Sequence, residues 1–120
     1  MADRIVVKLT WGVESPERVG QALTVCVTAT AAGVPVSLWL TGDASWLATA
    51  GVLEQVELPF SGSLADSRDA VLAAGAITVC SQCAARRGLT ETDLLPGVRI
   101  AGSAVFVEEI LAPGACALVY

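Results

Sequence analysis

Short apolar runs recur along this chain, and helix signals separate them. Arg4-Ile-Val-Val-Lys-Leu-Thr10 is rich in β-branched residues and stops at Trp11-Gly12. Val34 to Leu40 is a second run, with Pro35 near its start, where a missing N–H is tolerated. Ala76-Ile-Thr-Val79, Val98-Arg-Ile-Ala101 and Ala115 to Tyr120 complete the set. They read as continuous apolar stretches, which predicts strands buried on both faces.

The intervening segments carry helix punctuation. Ser15-Pro16-Glu17 supplies an N-cap, a first-position proline and an acid in the first turn. Val19, Leu23, Cys26, Val27 and Thr30 then fall on one helical face, and Gly33 ends the helix. Asp43 is placed to cap a short helix running through Trp46 to Ala50, and Gly51 to Leu58 reads as a connector with room for a short strand. Ser63 opens a further helix, with Leu64, Ala65, Val71 and Leu72 apolar, closed by Gly75. Ser81 to Arg87 is a short helix stopped by Gly88-Leu89, Thr90 to Leu95 is one more turn, and Ser103 to Leu111 is the last helix.

Strands alternating with helices predict an α/β fold: one domain, residues 1–120, a mostly parallel sheet with helices on both faces in three layers. In this architecture ligand chemistry gathers beyond the carboxyl ends of the strands. Those ends are Thr10-Trp11-Gly12, Thr41-Gly42-Asp43, Cys80-Ser81 and Ala101-Gly102-Ser103.

Composition narrows the chemistry. The 120 residues contain no histidine, which removes Ser/His and Cys/His nucleophile pairs and imidazole metal ligands. A net charge of −5 disfavours a sequence-independent grip on nucleic acid phosphates. Charged residues make up 16% of the chain against 54% hydrophobic. Soluble domains usually hold about 25% charge. A small domain cannot hide all of its apolar surface, so a homo-oligomer is expected.

Val19 to Gly42 has no charged residue. Gly33-Val34-Pro35 breaks it, Gln21, Thr24, Thr28 and Thr30 dilute it, and its two halves differ in period. It therefore predicts a helix plus a strand and no membrane span. The segment MADRIVVKLTWG has no long apolar stretch of the secretory kind, so a cytoplasmic location is expected, with its cysteines as thiols.

Cys80-Ser81-Gln82-Cys83 is the sharp signal. It lies where a strand ends and a helix begins, where free N–H groups favour the thiolate, the reactive form of cysteine. Cys80 stands at or near the N-cap and Cys83 three residues on, on the same face. Arg87, four residues past Cys83, adds a cation to that face. One CxxC supplies two zinc ligands and there is no second knuckle, so no metal is expected. An inert pair of core cysteines and a structural disulfide are the competing readings. Cys26, in the first helix, and Cys116, in the last strand, read as packing residues. No GxGxxG or GxxxxGK[ST] loop is present and no organic cofactor is expected. The adjacent acids Glu108 and Glu109 read as a solvated face. Trp11, Trp39 and Trp46 cluster near two strand ends, where core packing competes with a role as pocket wall. Trp11, Asp43 and Ser103, at strand ends, are candidate substrate contacts.

These residues resemble the DsrE/DsrF-like sulfur-transfer proteins, the family of the TusD-like sulfur-relay subunits. The likeness starts with the first strand, Gly-containing loop and Ala-rich helix of Arg4 to Ala32. Its specific part is Val79-Cys80-x-x-Cys83-Ala-Ala-Arg-Arg-Gly88-Leu89, a cysteine eight residues before the glycine of an Arg-Gly turn. Leu95-Pro-Gly97, Gly102, a helix and the strand Ala115 to Tyr120 finish it. The resemblance implies a parallel α/β sheet, a trimer or hexamer or an assembly with sibling subunits, and a cysteine that carries sulfane sulfur as a persulfide. That cysteine falls on Cys80. Cys83 departs from the single-cysteine pattern; it either resolves a Cys80 persulfide as a disulfide or is silent. The expected role is a sulfurtransferase-like carrier that takes sulfur from a donor protein and passes it to an acceptor. The rivals are a dithiol/disulfide oxidoreductase and a structural or regulatory subunit with inert cysteines.

Overall fold

The computed structural model describes residues 3–120. Five strands form one sheet: β1 Arg4–Leu9, β2 Val36–Leu40, β3 Ala76–Cys80, β4 Arg99–Ala101 and β5 Ala115–Val119. Their order is β4-β3-β2-β1-β5, and every neighbouring pair is parallel. Four helices connect them: α1 Pro16–Ala31, α2 Leu64–Ala74, α3 Ser81–Arg86 and α4 Ser103–Leu111. This is the expected three-layer α/β fold.

The helix boundaries fall where the sequence signals place them. Ser15 is the N-cap of α1 by position, without a side-chain capping bond, Pro16 opens the helix, and Gly33, at φ +79°, turns the chain out of it. Ser63 Oγ accepts the Asp66 N–H at 3.2 Å and caps α2. Gly42–Ala48 and Leu53–Gln55 are 3₁₀ segments. The connector over residues 51–58 thus holds a turn and no strand. Thr41, not Asp43, is the N-cap of the first 3₁₀ segment.

The two faces of the sheet differ. Chain direction explains why: β1 to β4 advance along the sheet, then the chain returns past β1 to β5, and a crossover of constant hand puts α4 on the face opposite α1 and α2. Strand neighbours in register share a face, and alternate residues change face. Val7, Leu38 and Ile77 form one rung, and Leu9, Leu40, Val79 and Ile100 the next. These apolar rungs pack on Val19, Leu23 and Cys26 of α1 and on Leu64 and Val71 of α2. Each is a large part of the stability; truncating a fully buried leucine such as Leu38 to alanine costs about 2–5 kcal/mol.

The α4 face carries a different rung: Lys8, Trp39, Thr78 and Arg99. A single nine-residue helix covers that face. The edges also depart from the expectation of strands buried on both sides. Only central β2 is buried throughout, and β5, with one neighbour, leaves Cys116, Ala117 and Val119 exposed.

Candidate functional site

Cys80 is the last residue of β3 and the N-cap of α3. It is half-buried and lines a cavity of about 60 Å³ at the carboxyl ends of the strands. The other walls are Lys8 of β1, Trp39 of β2, Thr41 just beyond β2, and Ser103 and Phe106 of α4. The Lys8 Nζ stands 5.3 Å from the centre of the Phe106 ring. Trp39 meets Phe106 edge to face, with ring centres 5.3 Å apart. The cavity therefore has an aromatic wall, a cation, two hydroxyl groups and one thiol.

Burial opposes charge on Cys80. The Cys83 and Gln82 N–H groups and the Cys83 thiol at the start of α3, together with the charge on Lys8, outweigh it and hold the Cys80 thiol below its ordinary pKa. A six-residue helix has only a small dipole, so these named groups matter more than the helix as a whole. Lys8 was not among the residues singled out in the sequence. Its signal was a charge in the interior of an apolar strand, where a partner or a polar pocket is required.

Arg87 plays a different part from the one expected. Its Nε and Nη2 donate to Asp43 Oδ1 at 3.2 and 2.8 Å, and its Nη1 donates to the Cys83 carbonyl at 3.1 Å. Arg87 thus fastens α3 to the 3₁₀ segment, and Lys8 is the cation that faces Cys80. Asp43 is committed to that ion pair and does not line the cavity. Trp11 lies outside the cavity too, stacked under Arg18, whose guanidinium carbon is 4.1 Å from the ring centre. Of the three candidate substrate contacts, the structure brings only Ser103 to Cys80.

Close backbone packing shapes this end of the sheet. A Cβ on Gly12 would lie 2.5 Å from the Asp43 carbonyl oxygen, and one on Gly102 would lie 3.3 Å from Ser81 Oγ. The loops after β1 and β4 approach their neighbours because no side chain intervenes.

The other cysteines divide clearly. Cys83 is buried, and its Sγ accepts the Gly42 N–H at 3.2 Å. Cys26 is buried in the α1 face, and burial pushes its pKa up to about 12. Cys116 is exposed on β5, not packed as expected, because β5 is an edge.

Glu109 corrects another reading. Glu108 is exposed, but Glu109 is buried beneath α4. Its Oε1 accepts the Ser37 hydroxyl at 2.5 Å and the Trp39 indole N–H at 3.2 Å, and its Oε2 accepts from Arg99. Arg99 Nε also donates to Thr78 Oγ1 at 2.5 Å. Burial raises the Glu109 pKa, but the three donors and the Arg99 charge prevail and hold it below the ordinary carboxylate value. The Trp39 wall of the cavity is fixed by this buried network.

A larger groove, about 850 Å³, runs between α1 and the loop around Phe60, on the opposite face; it contains no cysteine. Among the described residues no helix is long and apolar enough to cross a membrane.

The DsrE/DsrF-like family profile matches residues 3–113, most of the chain. The protein belongs to the DsrE/DsrF-like family. The crystal structure of the YchN protein from E. coli superposes with a TM-score of 0.81 at 16% identity, covering 98% of this chain and 99% of that one. MTH1491 from Methanobacterium thermoautotrophicum, described as a protein of unknown function, gives a TM-score of 0.66 at 12% identity over 98% of each chain. At these identities the likeness establishes the fold. No curated protein sequence matches the chain.

Proposed function

We propose that this protein is a sulfur carrier that accepts sulfane sulfur as a persulfide on Cys80 and passes it to a partner. The observation that carries this reading is the placement of Cys80: a half-buried thiol with lowered pKa, bordering a small cavity beside Lys8. Family membership supports it at the level of the family. The Cys80 thiolate attacks the outer sulfur of a donor persulfide, and the donor leaves as a thiolate. The acceptor thiolate then attacks the outer sulfur on Cys80, and Cys80 leaves in turn. Lys8 offsets the negative charge at each stage. No organic cofactor or metal enters these steps.

Ser103 and Thr41 are the hydroxyl-bearing residues of the cavity wall, and the Thr41 hydroxyl donates to the Leu9 carbonyl at 3.4 Å. A cavity of about 60 Å³ admits a sulfur atom or the tip of a thiol and excludes a bulky substrate. The donor and acceptor are therefore proteins or small thiols that present a persulfide or thiol at a tip.

Self-association belongs to the same proposal, as a trimer or hexamer or with sibling subunits. Val107 and Leu111, one turn apart on α4, and Val119 on β5 are exposed on the thinly covered face of the sheet. The working compartment we propose is the cytoplasm, where the thiols stay reduced.

The same pair also suits dithiol–disulfide exchange, because both cysteines are free and share the start of α3. Incubation with a persulfide donor, immediate alkylation and mass measurement separates the readings. A gain of one sulfur on the Cys80 peptide supports the carrier. A loss of two hydrogens with no sulfur ever gained supports exchange. An unchanged mass supports inert cysteines.

A further inference from the structure

Buried free cysteines are usually inert packing residues, as Cys26 is here. Cys83 differs from Cys26 in two respects. Its Sγ is held by a fixed backbone donor, the Gly42 N–H at 3.2 Å, and it stands in the first turn of α3, three residues after Cys80 at the N-cap. Gly42 has φ +55°, which favours glycine, and an added Cβ would stand 3.3 Å from the Thr10 carbonyl oxygen.

The two thiols also differ in access. Cys80 lines the cavity and Cys83 does not. A persulfide on Cys80 can therefore place its outer sulfur in the cavity, while Cys83 is buried outside the cavity wall. Displacement at sulfur needs that separation of nucleophile and leaving group. Cys80 is the N-cap, with extended backbone, and Cys83 is the third helical residue, so the two share the first turn of α3. A disulfide needs Cβ atoms about 3.5–4.5 Å apart, so closure is a movement within that one turn.

We propose that Cys83 is an internal acceptor that discharges a Cys80 persulfide as sulfide, so that without an external acceptor this chain turns sulfane sulfur into sulfide. This rests on Cys80 being the loaded residue. The step balances as follows. The persulfide anion Cys80–S–S⁻ takes the proton of the Cys83 thiol. The Cys83 sulfur attacks the Cys80 Sγ, the bond to the outer sulfur breaks, and HS⁻ leaves. The outer sulfur is reduced by two electrons, and the two cysteine sulfurs are oxidised to one disulfide. A dithiol reductant returns the pair to its starting state. The outcome is a choice set by the acceptor: transfer when one is docked at the cavity, release of sulfide when none is.

The test uses the whole chain loaded with glutathione persulfide, desalted, and sampled over time with iodoacetamide. Peptide masses and free sulfide are read together. The wild type should lose its persulfide, gain a Cys80–Cys83 disulfide and release one equivalent of sulfide. Dithiothreitol should then restore loading. Cys83→Ser and Cys83→Ala should keep the persulfide at least tenfold longer. The disulfide is mapped in the wild type, so the result does not depend on a variant folding. Equal persulfide lifetimes in the wild type and a folded variant, or sulfide released with no disulfide, would overturn the inference and leave the carrier reading standing. Absence of any loading in the wild type would overturn both.

Discussion

The Trp39 indole N–H donates to Glu109 Oε1 at 3.2 Å, across 70 residues of sequence. This bond ties the aromatic wall of the Cys80 cavity to a carboxylate buried under α4. The carboxylate is itself shared with Ser37 and Arg99. Replacing it by an amide keeps one acceptor oxygen but removes the charge and sets an NH2 group among the three donors.

Glu109→Gln should therefore lower stability by about 1–3 kcal/mol near neutral pH, the cost of disrupting hydrogen bonds to a buried group. The sign of the pH dependence follows from the lowered pKa of Glu109. Its contribution is present above the ordinary carboxylate range and is lost as pH falls through the lower folded value. Urea titrations of both proteins from neutral to acid pH check this. The gap between wild type and variant should narrow with acid; a constant gap would show that the charge of Glu109 contributes nothing.

Lys8→Met should slow persulfide loading at pH 7 several-fold. Lys8 is one of the groups that hold the Cys80 pKa down, so its loss moves the pKa up and shrinks the thiolate fraction. Lys8→Arg should keep most of the effect. The readout is the pH profile of Cys80 alkylation, which shifts to higher pH in Lys8→Met. A profile that stays in place would remove Lys8 from the account.

The fold was legible where one segment of chain was enough to decide it. Pro16, Ser63 and Gly33 act within a turn of themselves, and the apolar runs lie close to the observed strands. The misread residues depend on partners far along the chain. Glu109 was read as solvated because its three donors sit at positions 37, 39 and 99, on strands whose order the sequence does not print. Arg87 was placed near the cysteines by helical spacing, but Asp43, on another loop, claims it. Cys116 was read as packed because an edge strand looks like a central one until the order β4-β3-β2-β1-β5 is known. Cys80 and Ser103 were visible because both sit directly at strand ends. Lys8 and Phe106 reach the cavity from inside their elements, and only the register reveals them.

Gly12→Ala should destabilise the protein by about 1–3 kcal/mol, the usual cost of overpacking. The added methyl would sit 2.5 Å from the Asp43 carbonyl oxygen, and backbone cannot step aside as a side chain can. Gly62→Ala is the control: nothing lies within 4 Å of its Cβ position. It should change stability by less than about 0.5 kcal/mol. Thermal melts of the two variants decide the matter, and equal melting temperatures would mean that the loops after β1 and β2 are not packed against each other.

The most direct test of the carrier reading asks which of the four cysteines holds the added sulfur. The Cys83→Ser protein, which cannot form the Cys80–Cys83 disulfide, is incubated with glutathione persulfide at pH 7, alkylated and digested. The Cys80 peptide should gain the mass of one sulfur atom, and the Cys26 and Cys116 peptides should not. Adding Cys80→Ser to the same protein should abolish the gain. Sulfur found on exposed Cys116 instead, or a gain that survives the loss of Cys80, would contradict the account.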